Sequence, residues 1–228
     1  MFFHWSYLLL LPGMLLMFWA QSQVKGTYRK YSRIPSSMGM TGAQVAQEIL
    51  SSMGIENVNI EPIQGELTDH YDPRASTVRL SEGIYNSTSL AAAAVAAHEC
   101  GHVIQDRKGY TFMNVRASLV PAANLGSQLG PALIVIGIVL SFLGGISSIF
   151  INIGIFLFAA VILFHLVTLP VEFDASHRAL KLIDQLGILQ GEEKKGAKAV
   201  LQAAAWTYVA TAVYAVLQLA QLILMSRR

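Results

Sequence analysis

Hydrophobic and polar positions divide this chain sharply. Residues 2–20 contain no charge and are long enough for a membrane helix, which needs about 20 mostly apolar residues. A second apolar stretch, 125–171, is too long for one span and breaks at Gly144-Gly145-Ile146-Ser147-Ser148. It therefore predicts a helical hairpin, 125–143 and 149–170. A fourth run occupies 203–225. Between the first two lies ordinary polar sequence. Thr41 and Gly54 bracket a predicted helix as N-cap and terminator. Val58, Ile60 and Ile63 alternate with polar residues as a strand, a turn-rich loop covers 65–74, and Thr77–Ser81 alternates again. Asn86-Ser87-Thr88-Ser89 offers caps for an Ala-rich helix over about 89–107.

Composition supports this division. Of 228 residues, 54% are hydrophobic and 13% charged, against about 25% charged in an ordinary soluble domain. A purely soluble globule and a disordered chain are both excluded. The net charge of +2 gives no argument for nucleic acid as a partner. The first run lacks the basic n-region and small-x-small site of a signal peptide, offering His4 and Phe18-Trp19-Ala20 instead, so it reads as an anchor. Lys25, Arg29, Lys30 and Arg33 follow it, and Arg178, Lys181, Lys194, Lys195 and Lys198 lie between the third and fourth spans. By the positive-inside rule both polar regions face the cytoplasm, with only Arg227 and Arg228 opposed. The expected location is the plasma membrane, crossed several times. The lone Cys100 suits a reducing compartment and rules out a disulfide framework.

The Ala-rich helix carries His98-Glu99-Cys100-Gly101-His102, an H-E-x-x-H pattern. Residues four apart share a helical face, so both imidazoles can reach one metal ion. Glu99 lies about 100° round from His98, placed to act as a general base without being a ligand. Cys100, about 200° round, points elsewhere and reads as a small buried residue. A catalytic zinc takes three protein ligands and keeps one position open. With six histidines in the chain, a carboxylate is the expected third donor. Glu172 follows Pro170 as the third span ends, and is either that ligand or an acid favoured in a helix's first turn.

Several longer motifs make the sequence resemble a known family. They are Gly65-x-Leu67-Thr68-Asp69-His70-Tyr71-Asp72-Pro73-Arg74, Val78-Arg79-Leu80-Ser81, Ala96-Ala97-His98-Glu99-Cys100-Gly101-His102-x-Ile104-Gln105 and Pro170-Val171-Glu172-Phe173-Asp174-Ala175-Ser176. Together they resemble the YugP-like neutral zinc metallopeptidases, an integral-membrane family related in layout to HtpX and CAAX-processing proteases. The resemblance runs nearly end to end. It implies a mainly α membrane protein with a small α+β zinc-peptidase domain, a gluzincin-like H-E-x-x-H helix and about four transmembrane helices. It also implies one catalytic Zn2+, with Glu172 as third ligand. The HtpX-like pattern has Asp four residues after that Glu, where this chain has Ser176. Asp174 or the Ser176 hydroxyl would then orient a ligand.

The expected activity is zinc-dependent endoproteolysis of membrane-associated or unfolded proteins at the cytoplasmic surface. Glu99 would take a proton from water as it attacks the peptide carbonyl and pass it to the leaving amine. His70, Tyr71 and His177 are candidate oxyanion donors; loop packing is the plainer role for the first two and helix surface for His177. His165, inside the third span, reads as a polar contact within the bundle. The strand 77–81 is expected as an edge strand able to pair with an extended substrate. Expected partners are a polypeptide, from a membrane protein or juxtamembrane segment, and the bilayer, with any membrane partner subunit unspecified. The expected organisation is an anchor at 1–21, a metallopeptidase core at 22–120, a transmembrane hairpin at 121–171, a cytoplasmic helix at 172–202 and a last span at 203–228. The competing reading is a non-catalytic scaffold stabilised by zinc. A structural site, however, has no use for a base beside its first histidine. A metal transporter is disfavoured, because the spans lack paired acids or histidines.

Overall fold

The computed structural model describes residues 5–142 and 147–226. His4, residues 143–146 of the hairpin turn, and Arg227 and Arg228 lie outside them. A 3-10 turn, Trp5–Leu9, leads into α1 (Leu10–Tyr31). There follow α2 (Gly42–Ser52), β1 (Asn59–Ile63), β2 (His70–Asp72), β3 (Thr77–Ser81), α3 (Glu82–Tyr85) and α4 (Leu90–Arg107). Three long helices complete the chain: α5 (Thr111–Phe142), α6 (Ser147–Gln185) and α7 (Gly191–Ser226). The protein is mainly helical, with a small three-stranded sheet. Among the described residues, four helical stretches are long and apolar enough to cross a membrane: Trp5–Tyr31, Thr111–Ser141, Ser148–Gln185 and Gly191–Ser226.

The chain forms two compact units. The first comprises Met1–Ala20, Thr111–Pro170 and Thr207–Arg228. Small residues bring its helices together. A Cβ on Gly126 would stand only 2.1 Å from the Leu157 carbonyl oxygen, and one on Gly154 would stand 2.7 Å from that of Gly130. The Gly126-x-x-x-Gly130 spacing is thus the seam along which α5 meets α6, as small residues permit. Gly13 of α1 approaches Tyr214 and Leu217 of α7 in the same way. Phe18, Phe156 and Leu15 remain exposed, an arrangement that water penalises and lipid does not.

The second unit comprises Gln21–Tyr110 and Val171–Trp206. Thr41 caps α2 in a full capping box with Gln44, and Gly54, at φ 68°, ends it. Ser89 caps α4 by accepting from the Ala92 amide. Nearly every residue of α4 is buried, so it is packed on all sides rather than along one stripe. Its alanines at 91–94, 96 and 97 leave room for Val45, Ala46, Ile49 and Leu50 of α2, and for the sheet.

Two expectations change here. The strand Thr77–Ser81 is not an edge: the sheet order is β1-β3-β2, with β1 parallel and β2 antiparallel to β3. Both hydrogen-bonding sides of β3 are therefore in use. Its second partner is hidden in the stretch read as a loop, because three residues next to Pro73 are too few to show a period. The second change concerns Pro170. Rather than starting a helix, it lies inside α6, which continues to Gln185. Glu172 is therefore well within a helix and not in a dipole-favoured first turn. Proline is tolerated in such long apolar helices because neighbouring groups satisfy the freed backbone.

Candidate metal centre

All the residues of this centre belong to the second unit. One turn of α4 separates His98 from His102, and their rings meet edge to face with centroids 4.7 Å apart. Glu172 of α6 approaches both: its Oε2 is 3.3 Å from His98 Nε2 and 3.6 Å from His102 Nε2. The three donor atoms lie within 4.8 Å of one another. Around a tetrahedral zinc with bonds of about 2.0–2.1 Å, neighbouring donors are about 3.3 Å apart. The carboxylate–imidazole separations match that edge, and two imidazoles with one carboxylate form a donor set that suits zinc. Glu172 is 2% exposed, a burial that a carboxylate sustains only when paired or bound to a metal.

Close helix packing sets this approach. A Cβ on Gly101 would stand 2.5 Å from the Ala175 carbonyl oxygen, so glycine between the two histidines lets α4 lie directly against α6. Glu99 is 6% exposed, and no hydrogen bond to its carboxylate is found among the described residues. Burial holds its carboxyl above the usual carboxylate range, an effect that the nearby histidines only partly offset. For His102, burial opposes charging, but Glu172 and Glu99 outweigh it and hold its pKa above the ordinary imidazole value.

The far sides of the histidines are also engaged. Ser176 Oγ is 3.2 Å from His98 Nδ1. His102 Nδ1 is 3.0 Å from the side-chain oxygen of Gln105. Gln105 in turn donates to Asp174 Oδ2 at 2.8 Å and to the Val171 carbonyl at 2.7 Å. Asp174 therefore touches His102 only through Gln105, and also accepts from Arg178 Nε at 2.5 Å. Gln105 was not singled out among the expected site residues. The signal for it was its place three residues after His102 on the same Ala-rich helix.

The remaining candidates lie elsewhere. Tyr71 donates its hydroxyl to Asp106 at 2.8 Å, and burial with that bond pushes its pKa up to about 12. The Nδ1 of His70 is 2.8 Å from the Thr68 carbonyl, and its Nε2 faces Arg79 Nη1 at 3.5 Å. Arg79 also pairs with Asp72 at 2.9 Å. These groups organise the sheet and its loop. Asp69 accepts from the Ser81 amide at 2.7 Å and from its hydroxyl at 3.0 Å, which ties that loop to the end of β3. His177 is exposed on α6 and lines a cavity of about 290 Å3 with Lys108, Asp174, Arg178 and Lys181. Cys100 is buried, its Sγ 3.7 Å from the Ala46 carbonyl oxygen, and burial pushes its thiol pKa well up. His165 belongs to the first unit.

Comparison with known proteins places the chain in a family. Residues 6–227 match the family described as "Putative neutral zinc metallopeptidase". The chain is 42% identical over 209 residues to "Putative membrane protease YugP" of Bacillus subtilis (strain 168), covering 92% of this chain and 91% of that protein. No solved structure matches.

Proposed function

Because the chain belongs to the neutral zinc metallopeptidase family, we propose that it is a zinc-dependent membrane endopeptidase. The observation that carries this reading is the convergence of His98 Nε2, His102 Nε2 and Glu172 Oε2 beside a buried Glu99 carboxylate. His98, His102 and Glu172 would hold one zinc ion, which when bound supplies a Lewis acid that polarises a carbonyl and acidifies water. Glu99 accepts a proton as water oxygen attacks the peptide carbonyl carbon. It then delivers that proton to the amide nitrogen as the C–N bond breaks, releasing a carboxylate and an amine. Burial suits Glu99 to this task, since it holds the carboxyl above the usual carboxylate range and so makes it a better proton acceptor.

The substrates on this reading are membrane-associated or unfolded polypeptides. Glu172 follows the apolar run ending at 170 so closely that a substrate reaches it where chain emerges from the bilayer. The protein would cross the plasma membrane several times with its site on the cytoplasmic side, where Lys25, Arg29, Lys30 and Arg33 favour that orientation.

The test is cleavage of an unfolded reporter by detergent-purified protein, comparing wild type with Glu99→Gln at equal zinc content. Cleavage that falls at least about 100-fold in a variant still holding zinc supports a peptidase with Glu99 as base. If neither protein cleaves while both hold stoichiometric zinc, the zinc-stabilised scaffold takes its place.

A further inference from the structure

Gln105 is completely buried, at 0% exposure, and all of its side-chain polar atoms are used. Its amide nitrogen faces two acceptors, the Val171 carbonyl oxygen at 2.7 Å and Asp174 Oδ2 at 2.8 Å. Asp174 also takes a hydrogen bond from the Arg178 guanidinium, so its carboxylate stays charged and accepts only. Turning the amide over would set oxygen against two oxygens. The amide oxygen is therefore the atom that meets His102 Nδ1 at 3.0 Å.

An amide oxygen can only accept, so His102 Nδ1 must carry the hydrogen. A neutral imidazole has one N–H, which leaves Nε2 with a bare lone pair on the side facing Glu172. From this geometry we infer that Gln105 is a positioning residue with two linked tasks. It selects the His102 tautomer that can bind a metal, and it locks the Glu172-bearing segment of α6 onto α4. The second task follows from where its nitrogen points. Val171 and Asp174 stand on either side of Glu172 in sequence, so one buried amide joins the segment around the third ligand to the helix bearing the other two. A slip of α6 along α4 would break both bonds and carry Glu172 away from the histidines. This inference rests on reading His98, His102 and Glu172 as zinc ligands.

Zinc affinity of the purified full chain, measured by competition with a fluorescent chelator, tests it. Melting of each zinc-free protein is followed alongside. Gln105→Leu keeps the volume but neither accepts nor donates, and is expected to bind zinc roughly 10–100-fold more weakly. Pairing Gln105→Glu with Asp174→Asn restores an acceptor for His102 Nδ1–H and a donor from position 174. That double variant is expected to bind zinc more tightly than Gln105→Glu alone, which sets two carboxylates together, and less tightly than wild type, because a carboxylate oxygen at position 105 replaces the amide nitrogen facing the Val171 carbonyl. Wild-type zinc affinity in Gln105→Leu would overturn the inference. So would a double variant that melts higher than Gln105→Glu alone but binds zinc no more tightly, since Gln105 would then serve packing alone. If Gln105→Leu does not fold, the double variant against Gln105→Glu alone decides. A wild-type protein that binds no zinc would instead overturn the ligand assignment itself.

Discussion

Gly101 and Ala175 touch across the two helices that build the metal centre: a Cβ on Gly101 would stand 2.5 Å from the Ala175 carbonyl oxygen. No side chain fits in that space, and the obstructing atom is backbone, which cannot turn aside. The closeness of the donor atoms depends on this contact, because His98 and His102 flank Gly101 on α4 while Glu172 lies one turn before Ala175 on α6.

Gly101→Ala is accordingly expected to push α4 and α6 apart. Overpacking of this kind costs about 1–3 kcal/mol, and the separation should also weaken zinc binding. Thermal melting and chelator competition would show both effects. A variant with wild-type melting and affinity would mean that the helices do not hold this spacing in solution.

The Ser176 hydroxyl lies 3.2 Å from His98 Nδ1. Ser176→Ala should lower zinc affinity about tenfold, by leaving that ring nitrogen without its partner. Ser176→Asp should raise it, since a charged acceptor makes the stronger hydrogen bond. Equal zinc affinity in the two variants would count against any orienting role.

Removing the metal should destabilise the protein. A ligand held at about 1,000 times its Kd adds about 4 kcal/mol, so a strong chelator is expected to lower the melting midpoint and added zinc to restore it. Glu172→Ala should abolish the zinc response, whereas Glu99→Gln should keep it. A melting curve indifferent to both chelator and zinc would argue against the site.

Tyr71 makes stability depend on alkaline pH. Burial and the hydrogen bond to Asp106 push its pKa up to about 12, above the value of about 10 in an unfolded chain. The folded state thus favours the protonated phenol. This contribution is complete below pH about 10 and is lost as pH rises through about 12. Tyr71→Phe should flatten that part of the stability profile and cost about 1 kcal/mol near neutrality through the lost bond to Asp106. Chemical denaturation at pH 8, 10 and 11.5 would test it, and parallel profiles for the two proteins would contradict it.

Much of the chain is legible from local pattern alone. Thr41 and Gly54 bound α2, Ser89 opens α4, and Thr77–Ser81 forms a strand over the residues read for it. Each of these depends on near neighbours: a side chain capping the next turn, a glycine free to take positive φ, or an alternation of period two. The four apolar runs are legible for the same reason, since hydropathy is a local sum. The H-E-x-x-H pattern is read just as directly, because one helical turn brings His98 and His102 to a common face.

What proximity in sequence could not supply came from packing. The strand at His70–Asp72 exists only because β3 offers it a partner, and that partner makes β3 the middle strand rather than an edge. Pro170, a helix-start signal in a polar chain, is carried inside α6, where burial and neighbouring groups outweigh its local preference. Gln105 looks like any polar residue on a helix until Val171 and Asp174 arrive from a distant part of the chain to use its amide. Capping, hydropathy and helical phase act between residues a few positions apart, so the sequence states them directly. Hydrogen bonds between segments about seventy residues apart depend on how α4 and α6 lie together, and only the folded chain brings those groups within reach.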